Sequence, residues 1–248
     1  MGGGNRITLG GDVINNDADL QTINMAMILS ANRTFNAASG NIAVGGMISG
    51  ASFGIIKTGG SNLTLNVSNT YTGTTDVQVG TLVLGANDIF DNASSIKTTA
   101  GTVSLSAANT YTGATTIKAG TLELLVGGSL ASPSIIVGDA GSTGAILDEL
   151  TTLMIVKNGQ TVSGIGTIKG STTIQSGGTL APGNSAVILT NLGNITLDSG
   201  SSFAVEIGGV TAGIGAYDVV LMAVPEPAAG VFGGIGVLFL LRRRRGAC

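Results

Sequence analysis

The chain has 248 residues, of which 43% are hydrophobic and 10% charged, with 41 Gly, one Cys, no Trp and no His. Without His there is no Ser-His-Asp triad and no His-containing zinc site, and one Cys excludes an internal disulfide. Residues 1–223 carry 13 acidic and seven basic side chains, whereas residues 224–248 carry one Glu and four Arg. No basic patch precedes this tail, so nucleic-acid binding is not expected.

The N-terminal stretch MGGGNRITLGGDV lacks a basic segment followed by an apolar run, so it predicts no signal peptide. We interpret the start as truncated or mis-started, because it opens in what looks like the middle of a repeat. The apolar stretch MAMILSA follows at Met25 to Ala31, between segments rich in Gly and Asn. These flanks favour a buried strand over a helix.

A repeat then dominates the middle of the chain. SNTYTGTTDVQVGTLVL begins at Ser68, and ANTYTGATTIKAGTLEL begins 40 residues later at Ala108. The unit divides again, because Gly followed by Thr and then Leu or Val recurs at positions 80, 101, 120 and 178. The turn positions shared by both full copies are Asn69, Tyr71, Gly73, Asn109, Tyr111 and Gly113.

Each unit of about 20 residues has a Gly turn, an alternating strand such as TLVLG or TVSLS, a polar loop and a second strand. Alternation turns one strand face inward, and only stacking of neighbouring units buries that face. We predict an all-β parallel β-helix of roughly eleven rungs, with a short apolar helix at its C-terminus. A propeller with blades of about 40 residues is the alternative, disfavoured by the halved period. Expected inward residues are Leu82, Leu84, Val103, Leu105, Leu122 and Leu124.

These units resemble the autotransporter-associated β-strand repeat, which pairs a Gly-Thr-Leu strand with an Asn-Thr-Tyr-Thr-Gly turn and a Thr-Thr strand. RITLGGDVIN, IIKTGGSNLTL, GTIKGSTTIQSGGTLAPGNS and GNITLDSGSSFAVEIGG extend the resemblance over most of residues 5–222. The family is similar to passenger regions of bacterial surface proteins, which are right-handed β-helices. The resemblance therefore implies a right-handed, passenger-like repeat region over residues 1–222.

The tail, residues 223–248, resembles the PEP-CTERM sorting signal of exported Gram-negative proteins. It has a motif, an apolar run over residues 228–241 and a basic cluster. The resemblance implies processing near the motif by a membrane transpeptidase, an exosortase. A helix of 14 residues spans roughly 21 Å, short of a bilayer core of about 30 Å, which suits transient residence in the inner membrane with the Arg cluster in the cytoplasm. The alternative is a basic tail behind a buried strand. The motif is Val224, Pro225, Glu226 and Pro227, and the cluster is Arg242, Arg243, Arg244 and Arg245.

The last rung before this tail is expected to be incomplete. AYDVV at Ala216 resembles a family segment that further strands usually follow, and only Leu221, Met222 and Ala223 precede the motif.

Candidates for chemistry are few, and we assign no catalytic residue, metal ligand or cofactor. Three groups of carboxylates are close in sequence, and each is more typical of a solvated turn than of a catalytic pair or a calcium loop. Tyr71 and Tyr111 suit either an exposed aromatic ladder for sugars or, more simply, a cover for the rung beneath. The carboxylate groups are Asp12, Asp17 and Asp19, then Asp88 and Asp91, then Asp148 and Glu149.

We expect an exported structural or adhesion-type β-helix, not an enzyme, at the outer surface or in the extracellular matrix of a Gram-negative bacterium. Its expected partners are an exosortase-type enzyme, the inner membrane in transit, and exopolysaccharide or the cell surface. One alternative is a polysaccharide lyase or hydrolase on the same fold, which needs a cleft with at least two charged residues on one face of neighbouring rungs. Another is a fragment of a longer passenger with no separate role.

Overall fold

The computed structural model describes residues 5–86, 89, 94–142, 144–150, 153–183, 188–207, 217–222 and 238–243, with side chains as far as Ala204. All regular elements in these ranges are β-strands. They form a parallel β-solenoid of about nine turns with about 21 residues per turn. The predicted all-β solenoid is therefore confirmed.

The strands are short and follow one another closely along the chain. The first ten are β1 Arg6–Leu9, β2 Val13–Asn15, β3 Gln21–Ile23, β4 Ala26–Leu29, β5 Arg33–Ala37, β6 Ile42–Val44, β7 Ile48–Ser49, β8 Ile55–Thr58, β9 Asn62–Leu65 and β10 Thr74–Val77. The next ten are β11 Thr81–Leu84, β12 Ser95–Thr98, β13 Thr102–Leu105, β14 Ala108–Asn109, β15 Thr115–Ile117, β16 Gly120–Leu124, β17 Ser129–Leu130, β18 Ser134–Val137, β19 Ala145–Asp148 and β20 Met154–Val156. The last nine are β21 Thr161–Gly164, β22 Thr167–Lys169, β23 Thr172–Ile174, β24 Thr179–Pro182, β25 Thr190–Asn191, β26 Ile195–Leu197, β27 Ser202–Ile207, β28 Tyr217–Met222 and β29 Leu238–Arg243.

The strands line three faces of the solenoid. The first sheet runs β2-β5-β8-β10-β12-β15-β18-β21-β24-β27 and continues into β28 and β29, and the second runs β25-β22-β19-β16-β13-β11-β9-β6-β3. Pairings in both sheets are parallel as far as β27, for example β11 with β13 and β10 with β12. This excludes the propeller, whose blades are antiparallel. The second sheet has nine strands, so the expectation of eleven rungs was too high.

The core consists of inward side chains stacked rung on rung. Leu63, Leu82, Val103 and Leu122 are register partners in consecutive strands of the second sheet, and all four are fully buried. The six residues expected to point inward are buried, as predicted. MAMILSA contains strand β4, as predicted, with Met27 and Leu29 in the core. Because inward and outward residues alternate along each strand, every inward position forms a column of apolar side chains along the rod.

Two glycines show why Gly opens the repeated strands. Gly80 and Gly120 have φ angles of 71° and 80°, a region that side chains rarely adopt. A Cβ at either position would also collide with a carbonyl oxygen of the preceding rung, that of Gly59 or Gly101. Both the corner and the close approach of neighbouring rungs therefore require Gly.

Lys57 occupies an inward position, which its sequence did not predict. Its side chain is fully buried, and Nζ donates to the carbonyl oxygens of Thr58 (2.7 Å), Gly59 (2.7 Å) and Val79 (3.0 Å). Burial lowers the pKa of this amine to about 8. The ammonium thus bridges two rungs by satisfying carbonyl groups at a corner.

The third face is discontinuous. It consists of three separate sheets, β1-β4-β7, β14-β17 and β20-β23-β26. Strands β17 and β20 belong to consecutive rungs but do not pair with each other. On the other two faces the same rungs remain joined, through β18 with β21 and β19 with β22. The break is therefore confined to one face.

Parallel stacking ends at β27, which pairs antiparallel with β28, and β28 pairs antiparallel with β29. Most of the predicted apolar helix, residues 228–237, lies outside the described residues, and residues 238–241 belong to strand β29. The described part of the chain contains no helix with the length and apolarity to cross a membrane.

Ile195 and Leu197 in β26 are register partners of the inward Thr172 and Ile174, yet they are 43% and 36% exposed. The last turn is thus only partly covered.

Candidate functional site

The repeated Asn holds neighbouring rungs together where the third face lacks strands. Asn69 Oδ1 accepts from the N–H of Ile48 (2.7 Å), and its Nδ2 donates to the carbonyls of Val67 (2.9 Å) and Ile89 (3.1 Å). Asn109 repeats this arrangement one unit later and accepts from the N–H of Ile89 (3.3 Å). Both side chains are buried. The amide therefore replaces the ladder hydrogen bonds that a strand would supply here.

The repeated Tyr is a core residue. Tyr71 and Tyr111 are fully buried, and each hydroxyl forms a 2.7 Å hydrogen bond with the hydroxyl of a buried Thr, Thr75 or Thr115. Burial raises the pKa of both phenols well above the usual value. The idea of an exposed aromatic ladder for sugars is therefore wrong, because each ring is enclosed between rungs.

The repeated Gly lies where two rungs approach each other closely. A Cβ at Gly73 would collide with the backbone of Phe53, and one at Gly113 would collide with the carbonyl oxygen of Ser94. The three turn positions thus serve stacking through a hydrogen-bonded amide, a buried ring and a backbone contact. None of them presents a reactive group to solvent.

The first acidic group stabilises turns. Asp12 Oδ1 accepts from the N–H of Thr34 (2.8 Å), and Asp17 Oδ1 accepts from the N–H of Asp19 (3.0 Å). All three carboxylates are exposed. Their geometry is that of solvated turn carboxylates. Asp88 and Asp91, the second candidate group, lie outside the described residues.

The third group, Asp148 and Glu149, is split between surface and interior. Asp148 accepts from Lys169 Nζ at 3.0 Å on the outer face. Glu149 is only 5% exposed, and its Oε2 accepts from the N–H of Met154 (2.9 Å). Oε1 has no hydrogen-bond partner in the described structure. Burial raises the pKa of Glu149 to about 7. The two neighbours therefore do not act as a pair.

The structure reveals a row of one polar and three charged side chains, of which the sequence analysis singled out only Asp148. Ser104, Glu123, Asp148 and Lys169 are register partners on consecutive strands β13, β16, β19 and β22. Ser104 Oγ donates to Glu123 Oε2 (2.5 Å), and Lys169 donates to Asp148. We call these four residues the charged ladder. The available signal was the outward position between the two inward residues of each strand, as in TVSLS and TLELL.

A comparable pair lies on the first sheet. Asp76 and Lys97 are register partners on β10 and β12, and Lys97 Nζ lies 3.2 Å from Asp76 Oδ2. Thr99 Oγ1 donates to the other carboxylate oxygen (2.7 Å). Such partly exposed pairs typically contribute up to about 1 kcal/mol each to stability. This pair provides a matched reference for the charged ladder.

No group of three or more His, Cys, Asp or Glu side chains within the described ranges is placed to hold a metal ion. The proposed sorting motif, Val224 to Pro227, lies outside those ranges, as do Arg244 and Arg245. Arg242 and Arg243 end strand β29, where their Cα register partners on β28 are Asp218 and Tyr217.

Comparison with known families identifies the repeat. Residues 55–84 and 96–124 each match the passenger-associated-transport-repeat family. These two stretches, which cover less than a quarter of the chain, contain strands β8 to β11 and, except for Ser95, strands β12 to β16. The match supports the resemblance to autotransporter-associated repeats, and with the solenoid it fits a passenger-type structural protein. No curated protein and no solved structure matches the chain.

Replacing Asn69 with Ala tests the role of the repeated Asn. The variant leaves the buried N–H of Ile48 without its acceptor, so we expect the free energy of unfolding to fall by about 1–3 kcal/mol. Asn62→Ala, which changes an exposed Asn on β9, is the control and should change it by less than about 0.5 kcal/mol. Urea unfolding followed by circular dichroism measures both. Equal losses in the two variants would contradict this role.

Glu149 should make stability depend on pH. Its pKa is raised in the folded state, from 4.5 to about 7, so the folded protein binds more protons between these values than the unfolded chain. The stabilisation is complete below pH 4.5 and is lost as pH rises through 7, by up to about 3 kcal/mol in total. Urea unfolding at several pH values should show this fall in the wild type but not in Glu149→Gln. The same fall in both proteins would exclude Glu149 as its source.

Proposed function

We propose that this chain is a passenger-type β-helix that acts as a structural or adhesive rod at the outer surface or in the extracellular matrix of a Gram-negative bacterium. The single observation that carries the proposal is the repeat. Two copies match the passenger-associated-transport-repeat family, and their turn residues Asn, Tyr and Gly are all used to stack rungs. Because these residues are used for contacts between rungs, they build a rod but supply no catalytic groups.

The nature of the outer surface agrees with a structural role. The outward column on the second sheet begins with Thr22, Ala43, Thr64 and Val83, which are small or uncharged. The two hydroxyl groups in this column, on Thr22 and Thr64, lie two rungs apart, at about 9–10 Å. Hydroxyl groups repeated along a rod suit weak contacts with a polysaccharide matrix, because many such contacts add up when they act together.

The tail has a sorting role in this proposal. The motif at Val224 to Pro227 would be recognised by an exosortase-type enzyme after export, while residues 228–241 reside in the inner membrane; residues 238–241 would have to leave strand β29 for this. Arg242 to Arg245 would remain cytoplasmic by the positive-inside rule. Cleavage near the motif would then release the rod to the outer surface. The order of motif, apolar run and basic cluster in the sequence supports this part of the proposal.

The C-terminal mass of the full-length gene product, measured in each cell fraction of its native host, tests sorting. We expect protein outside the inner membrane to lack everything after the Val224 to Pro227 region. Glu226→Ala should retain the tail and accumulate in the inner membrane, whereas the control Asp198→Ala, an exposed acid on the rod, should be processed normally. An intact tail on protein at the surface would overturn the sorting role.

The charged ladder favours a second candidate, a polysaccharide-active enzyme. It places two carboxylates, Glu123 and Asp148, on adjacent rungs of one face, with Lys169 next to them. Glu123 accepts a hydrogen bond from Ser104 on the preceding rung, whereas Asp148 accepts one from Lys169 on the following rung. The two carboxylates are therefore drawn in opposite directions along the rod. Their separation should therefore exceed the strand spacing of about 4.8 Å, towards the roughly 6.5–9.5 Å of inverting glycosidases.

Glycan turnover by the pure protein distinguishes the two candidates. The structural proposal predicts no turnover of defined exopolysaccharides by the wild type. An enzyme would show turnover that falls by at least about 100-fold in Glu123→Gln and in Asp148→Asn. Asp76→Asn, which breaks the similar ion pair on the first sheet, is the matched control and should leave any turnover unchanged. Turnover lost only in the two ladder variants would replace the structural proposal.

A further inference from the structure

The break in the third face lies in a rung that is longer than the one before it. The register partners Thr115 and Ile135 on β15 and β18 are 20 residues apart, whereas the next partners, Ser134 and Thr161, are 27 residues apart. The longer rung still pairs on the first and second faces. Most of its additional residues lie between β18 and β19, which are separated by seven residues where β15 and β16 are separated by two. On the third face β20 does not pair with β17, and a gap opens between two otherwise stacked rungs.

One side chain holds the edge of this gap. Gln160 is only 5% exposed, and its Nε2 donates to the carbonyls of Leu130 (3.1 Å) and Ser132 (2.9 Å). Its Oε1 accepts from the N–H of Lys157 (2.9 Å). The amide thus satisfies carbonyl groups that the missing strand pairing would leave without donors. The gap is therefore a hydrogen-bonded feature of the fold.

The gap contains a cavity of about 370 Å³. Its inner wall is formed by core side chains from both rungs, Leu124, Leu130, Ile135 and Met154, which are between 1% and 6% exposed. Leu153 and Ile155 also line it and are 51% and 40% exposed, so they mark its opening to solvent. The volume lies within the range of small-ligand pockets, about 300–1,000 Å³.

The chemistry of the walls selects the class of ligand. Deep apolar walls offer a sugar no hydrogen bonds, and apolar cavities of this kind bind apolar molecules more readily than water. The cation at the cavity is Lys157, an exposed lining residue that makes no ion pair within the described structure. An apolar chain that ends in an anion therefore matches both the walls and the rim.

We propose that this cavity binds a medium-chain fatty carboxylate, with the acyl chain between the rungs and the carboxylate at Lys157. The chain would pack against Leu130, Ile135 and Met154 and cover apolar surface that is otherwise open to solvent. The proposal is independent of whether the rod is structural or enzymatic.

Isothermal titration of the full chain with decanoate, below the concentration at which micelles form, tests the proposal. We expect saturable binding of one decanoate per chain with a Kd on the order of 10 mM, because a 14-carbon chain enters an apolar environment with a Kd of about 100 µM and decanoate is four methylenes shorter. Leu153→Trp places a bulky ring at the mouth of the cavity and should abolish binding. Because Leu153 is half exposed, this variant should fold normally.

Lys157→Gln separates recognition of the head group from recognition of the chain. It should weaken decanoate binding by about fivefold, as expected for a partly exposed ion pair, and leave 1-decanol binding unchanged. Lys118→Gln is the matched control, since Lys118 is also an exposed Lys but lies in an ion pair with Asp139 (3.2 Å). No saturable binding to the wild type, or equal binding to the wild type and Leu153→Trp, would overturn the site. Equal decanoate binding to the wild type and Lys157→Gln would overturn the role of Lys157.

Discussion

Register between neighbouring rungs is the constraint on which this structure depends. A turn of about 21 residues has too little apolar surface to fold alone, so it buries its inward side chains only against the turns above and below. A position that faces inward in one rung must therefore face inward in the next. The columns Leu63-Leu82-Val103-Leu122 and the repeated Asn and Tyr follow from this requirement.

The same constraint explains what could be predicted from the sequence. Strict alternation in TLVLG and TVSLS, repeated at a fixed period, was enough to assign Leu82 and Val103 to the core. The burial of Lys57 and Glu149 was not predicted because a charged residue normally indicates an outward position. Their burial depends on backbone groups that the folded chain turns towards them, carbonyls of the same and the next rung for Lys57 and the N–H of Met154 for Glu149. The charged ladder was not predicted for a related reason: its neighbouring members are 19, 25 and 21 residues apart in the sequence and meet only through the register of the strands.

The function of such a rod depends on the side chains that are not used in contacts between rungs. Asn69 and Tyr71 are buried and Gly73 lies against the backbone of the preceding rung, so these three positions of the most recognisable motif serve contacts between rungs. Outward positions such as Thr64, Val83 and Glu123 vary from rung to rung because packing does not restrict them. Any difference in binding between rods of this kind should therefore reside in the outward columns and in irregular rungs.

The irregular rung also has a mechanical consequence. Cooperativity in a solenoid is carried by the interfaces between adjacent turns. Like the interfaces between β7 and β14, the one between β17 and β20 lacks a third-face ladder and keeps its ladders on the other two faces. It carries the cavity on its third face, which leaves core side chains of both rungs open there. We call this interface the seam between an N-terminal and a C-terminal block of the rod. Under tension along its axis, this seam is where the two blocks would begin to separate.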